Sequence, residues 1–372
     1  MKKDKRIIYH FPGVLPSSME MGSKIRPQMM LKAFKKIGYD IELIEGSYKE
    51  RKRKINDLKY KINNGNKYLY AYSESSWLPT LLSDGNKIPR FPLLDYQFFR
   101  LCNRKRIKLG LFYRDIYWRF DGLKLDQNLT IFKRLYIEFF YYLDILVYNL
   151  CVNILFIPSI QMKNYIPMLK INCEPLPPAM DYSASDFTPH LKNHSFDPLN
   201  ILYVGGLARI YRIDKLIEVT SNLPFVSLTI CTPKENWENE KFRYDAFLND
   251  SIKIEHKSGD ELLVLFKQAH IAAMFYQPHV YRTFLRSIKL FQFIEQQKPI
   301  ISTVGSLDGE FVKENKIGWT ILYKKDTLSK LLTNLYNNPE KIINIATNME
   351  KISKNNNWRN RAQNVSNFLN YK

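Results

Sequence analysis

Two stretches in the second half of the chain combine residue types suited to holding a phosphate. The first is Ser287-Ile-Lys289-Leu290-Phe-Gln292-Phe-Ile-Glu295-Gln-Gln-Lys298-Pro299-Ile-Ile-Ser302-Thr303, a helix start that runs straight into a buried strand. Helix N-termini present unpaired amides and a lysine adds a point charge, so the pair favours an anion. The second is the turn Val204-Gly205-Gly206-Leu-Ala-Arg209-Ile-Tyr211-Arg212, which follows a strand and opens a helix. Backbone without side chains can come close to a phosphate, which is what glycine offers here. Arg212 is the first choice of cation in this turn and Arg209 the second. Upstream of Lys289, the loop Tyr276-Gln-Pro-His279-Val-Tyr281-Arg282-Thr-Phe284 joins a buried strand to the helix, and Arg282 has the planar fork for a bidentate grip on a phosphate or carboxylate.

In the first half, Leu109-Gly-Leu-Phe-Tyr113-Arg114-Asp115-Ile-Tyr-Trp118-Arg119 ends a buried strand in a charged and aromatic cluster. A carboxylate such as Asp115 at a strand's carboxyl end can bind a hydroxyl or take its proton; the competing assignment is a salt bridge to Arg114 or Arg119. Glu20 is a second such carboxylate, in the long loop Phe11-Pro-Gly13-Val-Leu-Pro-Ser17-Ser18-Met-Glu20-Met-Gly22.

The elements that must position these residues alternate in type. Strands are predicted at Arg6–His10, Ile41–Ile44, Tyr68–Tyr72, Leu109–Tyr113 and Ile154–Ile157, with helices at Arg26–Ile37 and up to about Leu150. Strands separated by helices of this length imply right-handed crossovers and a parallel, doubly wound sheet. From Leu176 to Asp197 the sequence is rich in Pro, Ser, Asp and Asn and reads as a linker. The alternation then restarts, with strands at Leu199–Val204, Val226–Cys231, Ile252–His256, Ile271–Phe275, Pro299–Thr303 and near Trp319–Leu322, and helices at Ile213–Thr220, Lys289–Gln296 and beyond Thr327. The expected organisation is an α/β pair of Rossmann-like domains, 1–177 and 199–354, joined by a linker at 178–198 and followed by a terminal helix within 355–372. Two open sheets facing each other would leave a central cleft at the carboxyl ends of their strands.

A chain of 372 residues is too long for one ordinary core and suits two. Its net charge of +20 attracts anionic partners: nucleic acid, anionic lipid or phosphorylated substrates. Zinc-ligand spacing, basic-leucine heptads and an aromatic RNP signature are all lacking, which argues against nucleic acid. The four cysteines lie far apart without metal-ligand spacing and read as reduced thiols, and no Asp-x-Asp pair is present, so no metal site is expected. The N-terminus becomes polar too soon for a secretory signal, which points to the cytoplasm.

The Lys289 stretch resembles the retaining GT-B sugar transferases of family 4 (glycosyl transferases group 1), whose pattern is roughly P-x-K-x-x-E-Y-x-x-x-x-K-P-V-I. The resemblance implies an enzyme of bacterial surface polysaccharide synthesis that moves a sugar from a nucleotide-diphosphate sugar to an acceptor. By that likeness, Gly205, Gly206, Arg209, Arg212, His279, Tyr281, Arg282, Ser287, Lys289, Leu290 and Gln292 bind the donor. Gly13, Ser17, Ser18, Arg114 and Trp118 receive the acceptor, and Asp115 and Glu20 are the catalytic carboxylates. The diphosphate would be neutralised by Lys289, Arg212, Arg282 and helix amides, without a cofactor. The sequence departs from the pattern with Ser287 for Pro, Gln292 for the ribose-gripping Glu, and Phe284 for the first of the family's paired glutamates. Gln can still hydrogen-bond a ribose, less strongly than a carboxylate. Trp358-Arg-Asn-Arg361-Ala matches the start of the family's terminal helix, which crosses back to the first domain.

Two further readings share this architecture: a sugar-nucleotide epimerase, and a non-catalytic basic protein that binds nucleic acid or glycan. The span Tyr136 to Ile160 is apolar enough to imitate a membrane crossing, but Glu138, Asp144, Asn149 and Asn153 favour an amphipathic helix followed by a strand. Basic runs at Lys49–Lys54 and Arg100–Lys108 read singly as solvated helix faces; taken together with Phe98, Phe99, Phe112, Tyr141 and Tyr142 as aromatic neighbours, they suggest a surface that meets anionic lipid headgroups. Peripheral association with the inner face of the cytoplasmic membrane, and a lipid-linked acceptor, follow as expectations.

Overall fold

A computed structural model describes residues 5–15, 22–83, 93–120, 130–181, 196–207 and 209–370, without the side chains of 22–24 and 209. The chain divides into two compact units. One contains Lys24–Pro177, the strand that precedes them, and Trp358–Lys372; the other contains Pro178–Asn357.

In the first unit six strands lie parallel: β1 (Arg6–His10), β2 (Asp40–Ile44), β3 (Ala71–Glu74), β4 (Leu109–Phe112), β5 (Ile154–Ile157) and β6 (Asn172–Pro175), in the order β2-β1-β3-β4-β5-β6. Ile7, Ile8 and Tyr9 are fully buried because β1 is central, paired on both sides, and covered on both faces. The third strand starts three residues later than its apolar pattern suggests. Helices α1 (Gly22–Lys36), α2 (Tyr48–Asn63), α3 (Leu94–Arg104) and α4 (Ile131–Cys151) make the crossovers. A capping box starts α2, where Ser47 Oγ accepts from the Glu50 amide and the Glu50 carboxylate accepts from the Ser47 amide.

The basic run opening α2 is not simply a solvated face. Arg51 is fully buried, donating through Nε and Nη2 to the two oxygens of Asp95 and through Nη1 to the Gly46 carbonyl. Asp95 also pairs with His10 Nε2, at 2.9 Å, and His10 Nδ1 lies 2.8 Å from Ser73 Oγ. Burial lowers the His10 pKa, so the imidazole is neutral: Nε2–H donates to Asp95 and Nδ1 accepts from Ser73. This Ser-His-Asp row is sealed in the core, which makes it a structural brace for β1, β3 and α3.

The second unit repeats the plan with β7 (Leu199–Val204), β8 (Val226–Cys231), β9 (Ile252–Glu255), β10 (Ile271–Met274), β11 (Ile300–Thr303) and β12 (Gly318–Ile321), all parallel in the order β12-β11-β10-β7-β8-β9. Its helices are α5 (Asp214–Ser221), α6 (Lys234–Glu240), α7 (Asp260–Gln268), α8 (Ile288–Glu295), α9 (Leu307–Glu314), α10 (Lys325–Asn337) and α11 (Glu340–Asn355). Part of the segment read as linker is core: Ala179, Met180 and Phe196 are buried, and the Met180 amide donates to the Asn356 carbonyl. Residues 182–195 of that segment lie outside the described residues.

The last helix, α12 (Trp358–Asn370), belongs to the first unit. Ser366 Oγ lies 2.7 Å from Tyr70 Oη, and Arg361 Nε donates to the Pro177 carbonyl. Gly110 on β4 permits the docking, since a Cβ there would come within 2.8 Å of Leu369.

In each sheet the strand order reverses once, at β1/β3 and at β7/β10. Such switch points leave a crevice beyond the carboxyl ends of the strands, where ligands of doubly wound sheets bind.

Candidate functional site

The switch point of the second sheet gathers most of the predicted donor residues. Gly205 follows β7, the Tyr276–Phe284 loop follows β10, and α8 begins just beyond that loop. Ser287 is the N-cap of α8; its Oγ accepts from the Lys289 amide. The Ser287 amide is held by the Asp308 carboxylate at 3.2 and 3.3 Å, so the helix start is tied to α9. Arg286 supports the same junction by donating to the Leu307 carbonyl at 3.0 Å. Burial lifts the Asp308 carboxyl to about 6, against the pull of Arg286, Arg282 and Lys289.

The Lys289 ammonium lies against the Gly205 turn. A Cβ at Gly205, where φ is +153°, would collide with Lys289 Nζ and come within 3.2 Å of the Tyr203 hydroxyl. Glycine is thus required by close approach as well as by backbone geometry. Tyr203 Oη donates to the Gly206 carbonyl and pins the turn. Among the described residues Lys289 makes no ion pair; its neighbour is the Tyr211 ring, 5.1 Å from Nζ. Burial first, and then the charge of Arg282, depress its pKa from 10.5 to about 7. A partly buried cation with no ion-pair partner, packed against a glycine turn, is a site with an affinity for an anion. Lys298 serves as a contrast: it is buried too, but Nζ donates to the Ala269 carbonyl, so its work is structural.

The loop after β10 is more self-contained than its composition suggests. Arg282 is 4% exposed and donates Nε and Nη2 to the Ile210 carbonyl. Its guanidinium stacks over Tyr276 at 3.8 Å and Tyr211 at 4.4 Å. It locks the glycine turn to the loop and contributes charge at a distance rather than gripping a phosphate with its whole fork. His279 Nδ1 accepts from the Tyr281 amide, and Tyr281 is buried against Phe284, so one ring nitrogen and one aromatic face are used to close the turn. The Leu290 side chain lies in the core, and Gln292 is partly exposed on α8. Arg212 Nε donates to Asp214 Oδ2 at 2.8 Å, a partly exposed pair on the α5 start. The Arg209 side chain lies outside the described residues.

In the first unit the described acceptor candidates are engaged within the fold. Trp118 is buried, stacked on Tyr141 at 4.8 Å and donating to Tyr113 Oη, so it is core and not an acceptor platform. Asp115 Oδ1 accepts from the Tyr117 amide and shapes the turn after β4, while the Arg114 amide donates to Ser75 Oγ. Gly13, at a φ of +157°, carries the chain out of β1. Ser17, Ser18 and Glu20 lie outside the described residues.

The pattern missed one group altogether. Glu74 ends β3 beside the switch point; it is buried, accepts from Tyr72 Oη, and pairs with Arg26 at 3.4 Å. Burial raises its carboxyl pKa against the charge of Arg26. Arg26 lies over Phe112 and donates to the Leu176 carbonyl. A lone carboxylate inside an apolar strand was the available signal.

No protein-family model and no curated protein matches the sequence, but solved structures match the fold. A glycosyltransferase from Rickettsia africae matches with a TM-score of 0.65 at 12% identity, covering 99% of this chain and 98% of that one. Anabaena Alr3699/HepE in complex with UDP gives 0.62 at 10% identity over 98% and 99%. WaaG, a glycosyltransferase involved in lipopolysaccharide biosynthesis, gives 0.58 at 11% identity over 99% and 100%. The fold is GT-B. These matches extend over nearly the whole length of each GT-B protein, so they include both sheets and not one Rossmann-like half. Within the second GT-B unit, the residues brought together are Gly205, Gly206, Ser287 and Lys289, with Arg282 behind them. No helix among the described residues is long and apolar enough to cross a membrane.

Proposed function

We propose that this protein is a glycosyltransferase that takes a sugar from a nucleoside-diphosphate sugar and passes it to a lipid-linked glycan acceptor in surface polysaccharide synthesis. The observation that carries the reading is the unpaired Lys289 ammonium set against the Gly205 turn at the switch point of the second GT-B sheet. Of the fold neighbours, HepE holds UDP in one structure and UDP-glucose in another. WaaG and TarM share the fold.

In this reading the diphosphate takes the place against Lys289, the Gly205–Gly206 turn and the N-terminus of α8. Ammonium and amides neutralise the charge that grows on the leaving diphosphate as the bond to the sugar breaks. No metal is assigned to that task. Arg282 acts through Tyr211 and the Ile210 carbonyl to hold the turn in place. Gln292 bonds the ribose. Asp115 and Glu20 are the proposed acceptor-side carboxylates, one of which takes the proton of the attacking hydroxyl if the reaction inverts.

The test is calorimetric titration with uridine, guanosine, thymidine and cytidine diphosphates on the wild type and Lys289→Ala. Tight binding of one nucleotide, lost in the variant, supports the donor site; binding of none refutes it. Donor turnover that requires an added acceptor separates the transferase from an epimerase.

A further inference from the structure

The helix α4 is apolar on both sides. One face, with Ile137, Phe140, Tyr141, Ile145 and Tyr148, is buried in the first unit, and Asp144 on that face is satisfied by the Thr80 amide and Tyr96 Oη. A surface helix normally turns polar residues outward. The outward face of α4 instead carries Phe132, Leu135, Phe139, Leu146 and Leu150, exposed by 84, 58, 61, 46 and 76%. Their spacing follows the helical repeat, and Tyr136, Leu143 and Val147 fill the gaps, so the stripe contains no charged residue from end to end. Twenty-one residues make it about 30 Å long. Apolar surface of this extent and continuity marks an interaction site.

We infer that this stripe is where the protein lies on an anionic lipid surface. The charge around it selects the partner. Arg100, Arg104, Lys105 and Arg106, all exposed, end the neighbouring helix α3, which is fastened to the end of α4 by Asn103 Nδ2 donating to the Leu150 carbonyl. Lys133 is exposed near the start of the stripe. A chain of net charge +20 is repelled by a second copy of itself and drawn to anionic headgroups. The helix cannot span, because its other face is core; it lies in the interfacial plane with its phenylalanine and leucine side chains at the headgroup boundary. Of the aromatic residues first expected to do this, Phe98, Phe99, Phe112 and Tyr141 are buried, and the outward face of α4 takes their place. The purpose of the docking, to reach a lipid-linked acceptor, rests on the transferase reading; the docking itself does not.

The test is sedimentation with vesicles of phosphatidylcholine alone and with phosphatidylglycerol added. Three proteins are compared: the wild type, the triple variant Phe132→Ser/Phe139→Ser/Leu150→Ser, and the double variant Arg100→Gln/Arg104→Gln. The wild type should prefer the anionic vesicles. The triple variant should lose roughly a hundredfold in vesicle affinity, and the double variant roughly tenfold on anionic vesicles only. Unchanged thermal unfolding and nucleotide binding show that the variants are folded. The proposal is overturned by a wild type that ignores both vesicles, by a triple variant that binds as well as the wild type, or by a dimer in solution that the triple variant dissolves. Loss of nucleotide binding in the wild type would sink the transferase reading and leave the lipid result standing.

Discussion

Lys289 makes nucleotide binding measurably dependent on pH. In the free protein its ammonium titrates at about 7 because burial and Arg282 penalise the charged form. A diphosphate placed against Nζ restores the charge, so binding takes up a proton above neutrality. With a free-protein pKa of about 7, the protonated fraction falls from about one half at pH 7 to about 0.01 at pH 9. Affinity should therefore weaken about 50-fold across that range, or about 2.3 kcal/mol. The terminal phosphate of a nucleoside diphosphate is already ionised there and contributes little slope. Isothermal titration at pH 7, 8 and 9, in buffers of differing ionisation enthalpy, reads both the affinity and the proton uptake, which should approach about one per nucleotide at pH 8. Lys289→Met should bind about tenfold to a hundredfold more weakly at pH 7, the worth of a charge-assisted hydrogen bond, and show no slope. A wild type whose affinity is flat from pH 7 to 9, or a variant that keeps the slope, refutes the assignment.

The same lysine should affect folding in the opposite sense: its folded pKa lies below the unfolded value, so the unfolded chain binds more protons between about 7 and 10.5. Lys289→Met should therefore melt higher than wild type at pH 7, with the gap closing as pH rises, which calorimetry will read. Gly205→Ala puts a methyl group into Lys289 Nζ at a φ that L residues rarely adopt; it should lower the melting temperature and weaken nucleotide binding by at least about tenfold in titration. Arg51→Met leaves Asp95 buried without its bidentate partner and should cost about 3–5 kcal/mol in urea unfolding, with nucleotide binding unaltered under native conditions. Ser287→Ala removes the N-cap of α8 and should cost about 1 kcal/mol of stability in the same assay.

Much of the architecture is written in local pattern. Strand by strand, the apolar runs separated by helical periodicity specify two parallel sheets, because a run buried on both faces must be apolar throughout and the crossover between parallel strands must be long. The Ser-x-Lys start of α8 and the glycine turn after β7 were legible for the same reason: caps and close backbone approach demand particular residue types at particular positions. What each polar side chain does was not legible, since that depends on neighbours far away in sequence. Arg51 reads as one of five cations on a solvated helix, and only the packing of α2 against α3 buries it on Asp95. Arg282 reads as a phosphate clamp, and only the return of the Ile210 loop takes up its donors. Trp118 reads as a sugar platform, yet α4 lays Tyr141 flat against it. Along α4 itself, the sequence read as an amphipathic helix with one apolar face for the core. Tertiary structure decided that Ile137, Phe140, Ile145 and Tyr148 go inward while Phe132, Leu135, Phe139, Leu146 and Leu150 are left to meet a surface, because burial depends on what packs against the helix and not on its own periodicity.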